Sequence, residues 1–207
     1  MMSAIPMRDT RARIIGAAME LFWSKGYGST SIADILGRAE INSGSLYHFF
    51  PGKQDLLVAV LEEYRDGIGP MLLDPVWEGV DDPIARIFAL LGKYRELIVL
   101  TDCLYGCPIG SLALELHEPD PGIRDLLSVN FRQWVEAIET CLVAAGDRLP
   151  ATLDRRALAE FTLTVMEGAI MQARTYRDIA SFDRNIAVLR AHIDMLIEAA
   201  RQEAMAA

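Results

Sequence analysis

At 207 residues with 52% apolar side chains, the chain is long enough for one large or two small cored domains, and this composition excludes a disordered tail. The net charge of −9 argues against a uniformly basic nucleic-acid binder, and no apolar run reaches the roughly 18 residues of a membrane span. The three cysteines (Cys103, Cys107, Cys141) are too few for a disulfide framework, and the histidines (His48, His117, His192) lie too far apart for zinc-ligand spacing.

The N-terminal stretch lacks the apolar core of a signal peptide, so a cytoplasmic protein is expected. Ile14, Ala17, Ala18, Leu21 and Phe22 recur at helical spacing and predict a helix over 9–26, ended by Gly26. Thr30 is the expected N-cap of a short helix running to residue 38 or 39, with Ile32, Ile35 and Leu36 inward. Glu40-Ile41 makes a turn, and Asn42 is the expected cap of a helix over 43–49. Pro51-Gly52 breaks that helix, and a fourth, amphipathic one follows over 53–67. Gly67, Gly69, Pro70 and Pro75 interrupt the pattern, so 67–83 fits either a hinge or a plain linker. Further helices are expected over 82–101, 108–117, 121–146, 154–178 and 183–204, with starts at Asp82-Pro83, Asp120-Pro121 and Asp154. Alternating strand patterns are absent, so an all-α fold of about nine helices is predicted.

The charge is divided unevenly. Residues 1–53 carry six basic and four acidic side chains, whereas the remaining 154 carry 14 and 25. Segment 29–53 holds two short helices joined by a tight turn, and the second has an unusual outer face. Ser43, Gly44, Ser45, Tyr47 and His48 stand where a solvated helix shows Lys and Glu. Small and polar aromatic groups suit close approach to phosphates and base edges. Lys53 opens the next helix with a full positive charge, and Arg8 and Arg11 stand at the start of the first.

Segment 9–65 resembles the DNA-binding domain of the TetR family of bacterial regulators. The resemblance lies in Ile14 through Phe22, Gly26-Tyr27, Thr30 through Ile35 and, above all, Gly44 through Lys53. It implies an N-terminal three-helix helix-turn-helix domain, placed at 1–55, and a C-terminal ligand-binding and dimerisation domain, placed at 56–207. It further implies DNA-backbone contacts from Thr30, Ser31 and Lys53, and groove contacts from Ser43, Gly44, Ser45, Tyr47 and His48. Two positions depart from the family pattern. Ser43 stands where Lys or Arg is common and Phe49 where His or Tyr is common, which bears on the base sequence read. The partners implied are double-stranded operator DNA, a small apolar effector and a second copy of the chain, with no membrane, metal or catalytic cofactor. A repressor released from its operator by the effector is expected, and not an enzyme.

Trp77, Tyr94, Cys103, Cys107, Phe131, Trp134, Met166 and Met171 are the candidate effector-binding residues, being suited to an adaptable apolar pocket. Cys107-Pro108 reads as the start of a short helix. The Gly106-Cys107 stretch is similar to one in the LmrA/YxaF-like branch of the family. Cys107 fits a buried small hydrophobe, an effector contact or, with Cys103, a thiol or electrophile sensor. The amphipathic segments 154–178 and 183–204 are the expected dimer-forming pair.

Overall fold

The first helix ends where a glycine lets it end. In the computed structural model, which describes residues 7–206 with side chains from residue 10 onward, α1 (Met7–Lys25) stops at Gly26. Gly26 takes φ +88°, a left-handed conformation open to glycine without penalty, and its N–H donates to the Phe22 carbonyl at 3.1 Å. The following elements are α2 (Ile32–Ala39), α3 (Ser43–Phe49), α4 (Lys53–Gly67), a π-helical segment (Ile68–Leu73) and α5 (Asp74–Trp77). Then come α6 (Pro83–Leu100), α7 (Pro108–Glu115), α8 (Pro121–Ala144), a 3-10 turn (Gly146–Arg148), α9 (Arg155–Tyr176) and α10 (Ala180–Ala206). Among the described residues every regular element is helical, as the sequence predicts.

The stretch 67–83 differs from the expected hinge or linker. It stays helical through Trp77 because Gly67 keeps a right-handed helical conformation and a widened π turn follows. Pro70 has no N–H to donate one turn back and its ring crowds that carbonyl, which a widened turn relieves. Pro75 lies in the first turn of α5, where a missing N–H costs nothing.

The chain forms two compact units. The first comprises residues up to 66 together with 107–130, and the second comprises 67–106 together with 131–207. In the first unit, α1 buries Ile14, Ile15, Ala17, Ala18, Leu21 and Phe22 and packs on α2 and α3, which bury Ile35 and Leu46, while α4 buries Leu56, Leu57, Val60 and Leu61. Asn130 ties α8 to α4 by donating to the Leu61 carbonyl at 3.1 Å. α7 packs on α1.

In the second unit, α6 buries Ile84, Ile87, Phe88, Leu90 and Leu91, and α9 buries Leu158, Met166, Ala169 and Ile170. α9 and α10 form the most extensive helix pair, with small Ala169 and Ala173 permitting close approach. Arg95 of α6 makes a two-pronged ion pair with Asp183 of α10 at 2.6 and 2.9 Å. Asp82 and Asp154 cap α6 and α9 through their side chains, as expected from the sequence.

Candidate nucleic-acid interface

α2 is started by a reciprocal cap. The Ser31 hydroxyl accepts from the Asp34 backbone N–H at 3.1 Å, and the Asp34 carboxylate accepts from the Ser31 backbone N–H at 2.9 Å. Hydrogen bonds from Ser31, chiefly its hydroxyl, hold the half-buried Asp34 carboxyl down to about 2, with Lys25 adding to the effect. The sequence-based assignment of the cap to Thr30 is therefore corrected by one residue. Thr30 is 1% exposed, and its hydroxyl donates to the carbonyls of Leu21 at 3.2 Å and Gly26 at 2.7 Å. Its buried hydroxyl fastens the α1–α2 connection. Ser31 is exposed at the helix start and keeps its expected DNA-contact role open.

The turn between α2 and α3 is held from inside. Glu40 caps α2 in a left-handed conformation, φ 54°, and the Arg13 guanidinium donates to the carbonyls of Ala39 and Glu40. Asn42 caps α3, its side chain accepting from Ser45 N–H at 2.8 Å. α3 then points Leu46 into the core, with Phe50 buried just beyond its end. Ser43, Gly44, Tyr47 and His48 are left exposed, and Ser45 half-buried. Tyr47 is 54% exposed, so its ring and hydroxyl are open to a partner. The His48 ring stands edge-on to Phe49 at 5.0 Å, which limits its rotamers. The Arg11 guanidinium lies 5.4 Å from the Phe50 ring centre. The Arg8 side chain lies outside the described residues.

Lys53 opens α4 with its ammonium 4.2 Å from the centre of the Tyr27 ring. Partial burial lowers its pKa, and the Glu115 carboxylate opposes that shift. Burial raises the Tyr27 phenol, with Glu115 adding to it. Glu115 itself, the last residue of α7, was not singled out from sequence. Its carboxylate accepts from the backbone N–H groups of Tyr27 at 2.8 Å and Gly28 at 2.5 Å. A separation of 87–88 residues hides such a contact, and the only local sign is a Gly-Tyr-Gly turn with backbone donors to satisfy.

The expected effector residues do not all gather in one place. The Tyr94 and Trp134 rings meet edge-to-face at 6.5 Å, and Met166 is buried in α9. Phe131 is half-buried. Trp77 packs elsewhere, its indole N–H donating to the Arg86 carbonyl at 3.0 Å beside an open recess bordered by Asp74, Pro75 and Glu78. Met171 is 55% exposed. Cys107 belongs to the first unit and caps α7, its sulfur accepting from Gly110 N–H at 3.4 Å. All three cysteines are buried, and none is joined in a disulfide among the described residues. Burial, with Asp102 and Asp178 adding, pushes the Cys103 thiol up and disfavours its thiolate, so the thiol-sensor alternative gains no support. Two polar atoms of α8, Trp134 Nε1 and Gln133 Oε1, are buried with no hydrogen-bond partner among the described residues.

Known proteins share this architecture. Residues 14–60 match the family described as bacterial regulatory proteins, tetR family, and residues 83–188 match the C-terminal domain of LmrA/YxaF-like transcriptional regulators. The HTH-type transcriptional regulator LmrA of Bacillus subtilis is 30% identical over 67% of this chain and 73% of its own length. The HTH-type transcriptional repressor DhaR of a Mycobacterium species is 25% identical over 86% of this chain and 89% of its own. A crystal structure of a regulatory protein TetR from Rhodobacter sphaeroides superposes with a TM-score of 0.81 at 27% identity, covering 88% of this chain and 98% of that one.

Proposed function

Since this chain belongs to the TetR family of transcriptional regulators, in its LmrA/YxaF-like group, we propose that it is a dimeric operator-binding repressor released from DNA by a small, largely apolar effector. TetR-family regulators bind operator DNA and are dimers. The observation that carries the DNA reading is α3. It exposes Ser43, Gly44, Tyr47 and His48 on a helix anchored by buried Leu46. Such a helix presents base-reading groups from a fixed base, and Ser31 and Lys53 flank it as backbone contacts. Repression is supported by the similarity to DhaR, a transcriptional repressor. No helix among the described residues is long and apolar enough to cross a membrane, which suits action in the cytoplasm.

Dimerisation through α9 and α10 is supported by Phe161, Val188 and Met195, large apolar side chains 50%, 71% and 64% exposed on these helices. One seven-residue recognition helix reads few base pairs, so two half-sites are needed. The effector reading rests on Tyr94 and Trp134 together with the buried, unpartnered Trp134 N–H and Gln133 carbonyl. Buried polar atoms need partners. An effector with an apolar body, one hydrogen-bond acceptor and one donor matches both.

The test is selection of duplexes from a random-sequence pool by the purified protein. Enrichment of one palindromic site supports the reading, and a pool that stays random contradicts it.

A further inference from the structure

The contact between Glu115 and the α1–α2 connection is the best-defined polar feature that the operator reading leaves unused. Gly26, Tyr27 and Gly28 wrap the carboxylate. The Tyr27 and Gly28 amides donate to its two oxygens, one each, at 2.8 and 2.5 Å. Gly26 is the position whose backbone favours glycine, and at Gly28 the carboxylate itself fills the space a side chain would take. A Cβ on Gly26 would lie 3.0 Å from Oε2, on a backbone of φ +88°, and one on Gly28 would lie 2.9 Å from Oε1. A two-donor hydrogen bond to a charged acceptor is stronger and more directional than one between neutral groups.

This turn sits between two groups already assigned to the DNA backbone. Three residues after Gly28, Ser31 starts α2, and Thr30 fastens the intervening chain to the end of α1. The ring of Tyr27, whose amide the carboxylate holds, carries the Lys53 ammonium on its face. Glu115 therefore reaches Lys53 through one side chain and Ser31 through three residues of backbone.

We propose that Glu115 is a positioning residue for operator binding: its carboxylate fixes the Gly26–Gly28 turn, and through the Tyr27 ring it holds Lys53 where the ammonium meets a DNA phosphate. The proposal rests on the operator reading above. It makes a prediction opposite in sign to simple electrostatics. Removing an acid near DNA strengthens binding if charge alone matters, whereas removing this one weakens binding if it positions the lysine.

The test is a double-mutant cycle on the best duplex recovered by wild-type protein from a random-sequence pool, titrated from about 50 mM salt upward. Glu115→Ala is expected to lower affinity about tenfold and to flatten the dependence of log K on log salt by about 0.9, as loss of one phosphate contact does. Glu115→Gln keeps an acceptor and is expected to fall between wild type and Glu115→Ala. The double variant is expected to bind no more weakly than Lys53→Ala alone, because the acid acts through the lysine. Wild-type or tighter binding by Glu115→Ala, a glutamine no better than alanine, or losses that multiply in the double variant each overturn the proposal. Multiplying losses are also the signature of a merely destabilised domain. Wild-type affinity in Lys53→Ala overturns the operator reading of that lysine and the proposal with it, whereas wild-type affinity in Glu115→Ala alone overturns only the proposal.

Discussion

The Ser31 hydroxyl donates to the Asp34 carboxylate at 2.7 Å, and the two residues also exchange backbone hydrogen bonds, so the start of α2 is closed on itself. A carboxyl with a lowered folded-state pKa adds stability above its ordinary value of 3.8 and loses that contribution as pH falls toward about 2. Ser31→Ala is expected to cost about 1 kcal/mol at neutral pH. The gap to wild type, read from urea melts, is expected to narrow as pH drops below about 4. A gap unchanged at pH 3 would contradict the coupling of cap and carboxylate.

Leu46 and Tyr47 are neighbours on α3 with opposite tasks. Leu46 is fully buried, so Leu46→Ala is expected to destabilise the protein by about 2–5 kcal/mol. Tyr47→Ala is expected to leave stability within about 0.5 kcal/mol while removing specific DNA binding. Thermal melts and a titration of the selected duplex separate the two. A Tyr47→Ala variant that melts early would mean the ring is structural.

Val188→Glu combined with Met195→Glu puts charge on the exposed apolar face of α10. Light scattering is expected to show monomers for this variant and dimers for the wild type, with operator affinity lost alongside. A dimeric double variant would move the interface elsewhere.

Gly28→Ala places a methyl group 2.9 Å from the end of the Glu115 side chain. A flexible carboxylate can swing away, so the expected stability loss is small, and the expected loss of operator affinity matches that of Glu115→Ala. Gly26→Ala adds a left-handed backbone and is expected to cost more than about 1 kcal/mol.

Much of this molecule was legible in its sequence because the signals are local. The α1 core face, the Gly26 stop, the Asn42, Asp82, Cys107 and Asp154 caps, and the exposed face of α3 all follow from residues within a turn or two of each other. The cap of α2 was misplaced by one residue because Thr30 and Ser31 are equally good capping types, and only the fold shows which hydroxyl turns inward. The helical run through Trp77 was missed because glycines and prolines read as breaks, although a π turn and first-turn positions absorb them. The Glu115 clasp and the membership of α7 in the first unit were illegible, since each depends on chain segments nearly 90 residues apart.

The central claim is that α3 reads operator DNA, and the most direct measurement is a titration of the selected duplex across a salt series with wild type beside Tyr47→Ala. The account predicts wild-type affinity that falls steeply and linearly on log–log axes, with the variant weaker by about tenfold or more at every salt concentration. Binding that ignores salt, or a variant as tight as wild type, would contradict it.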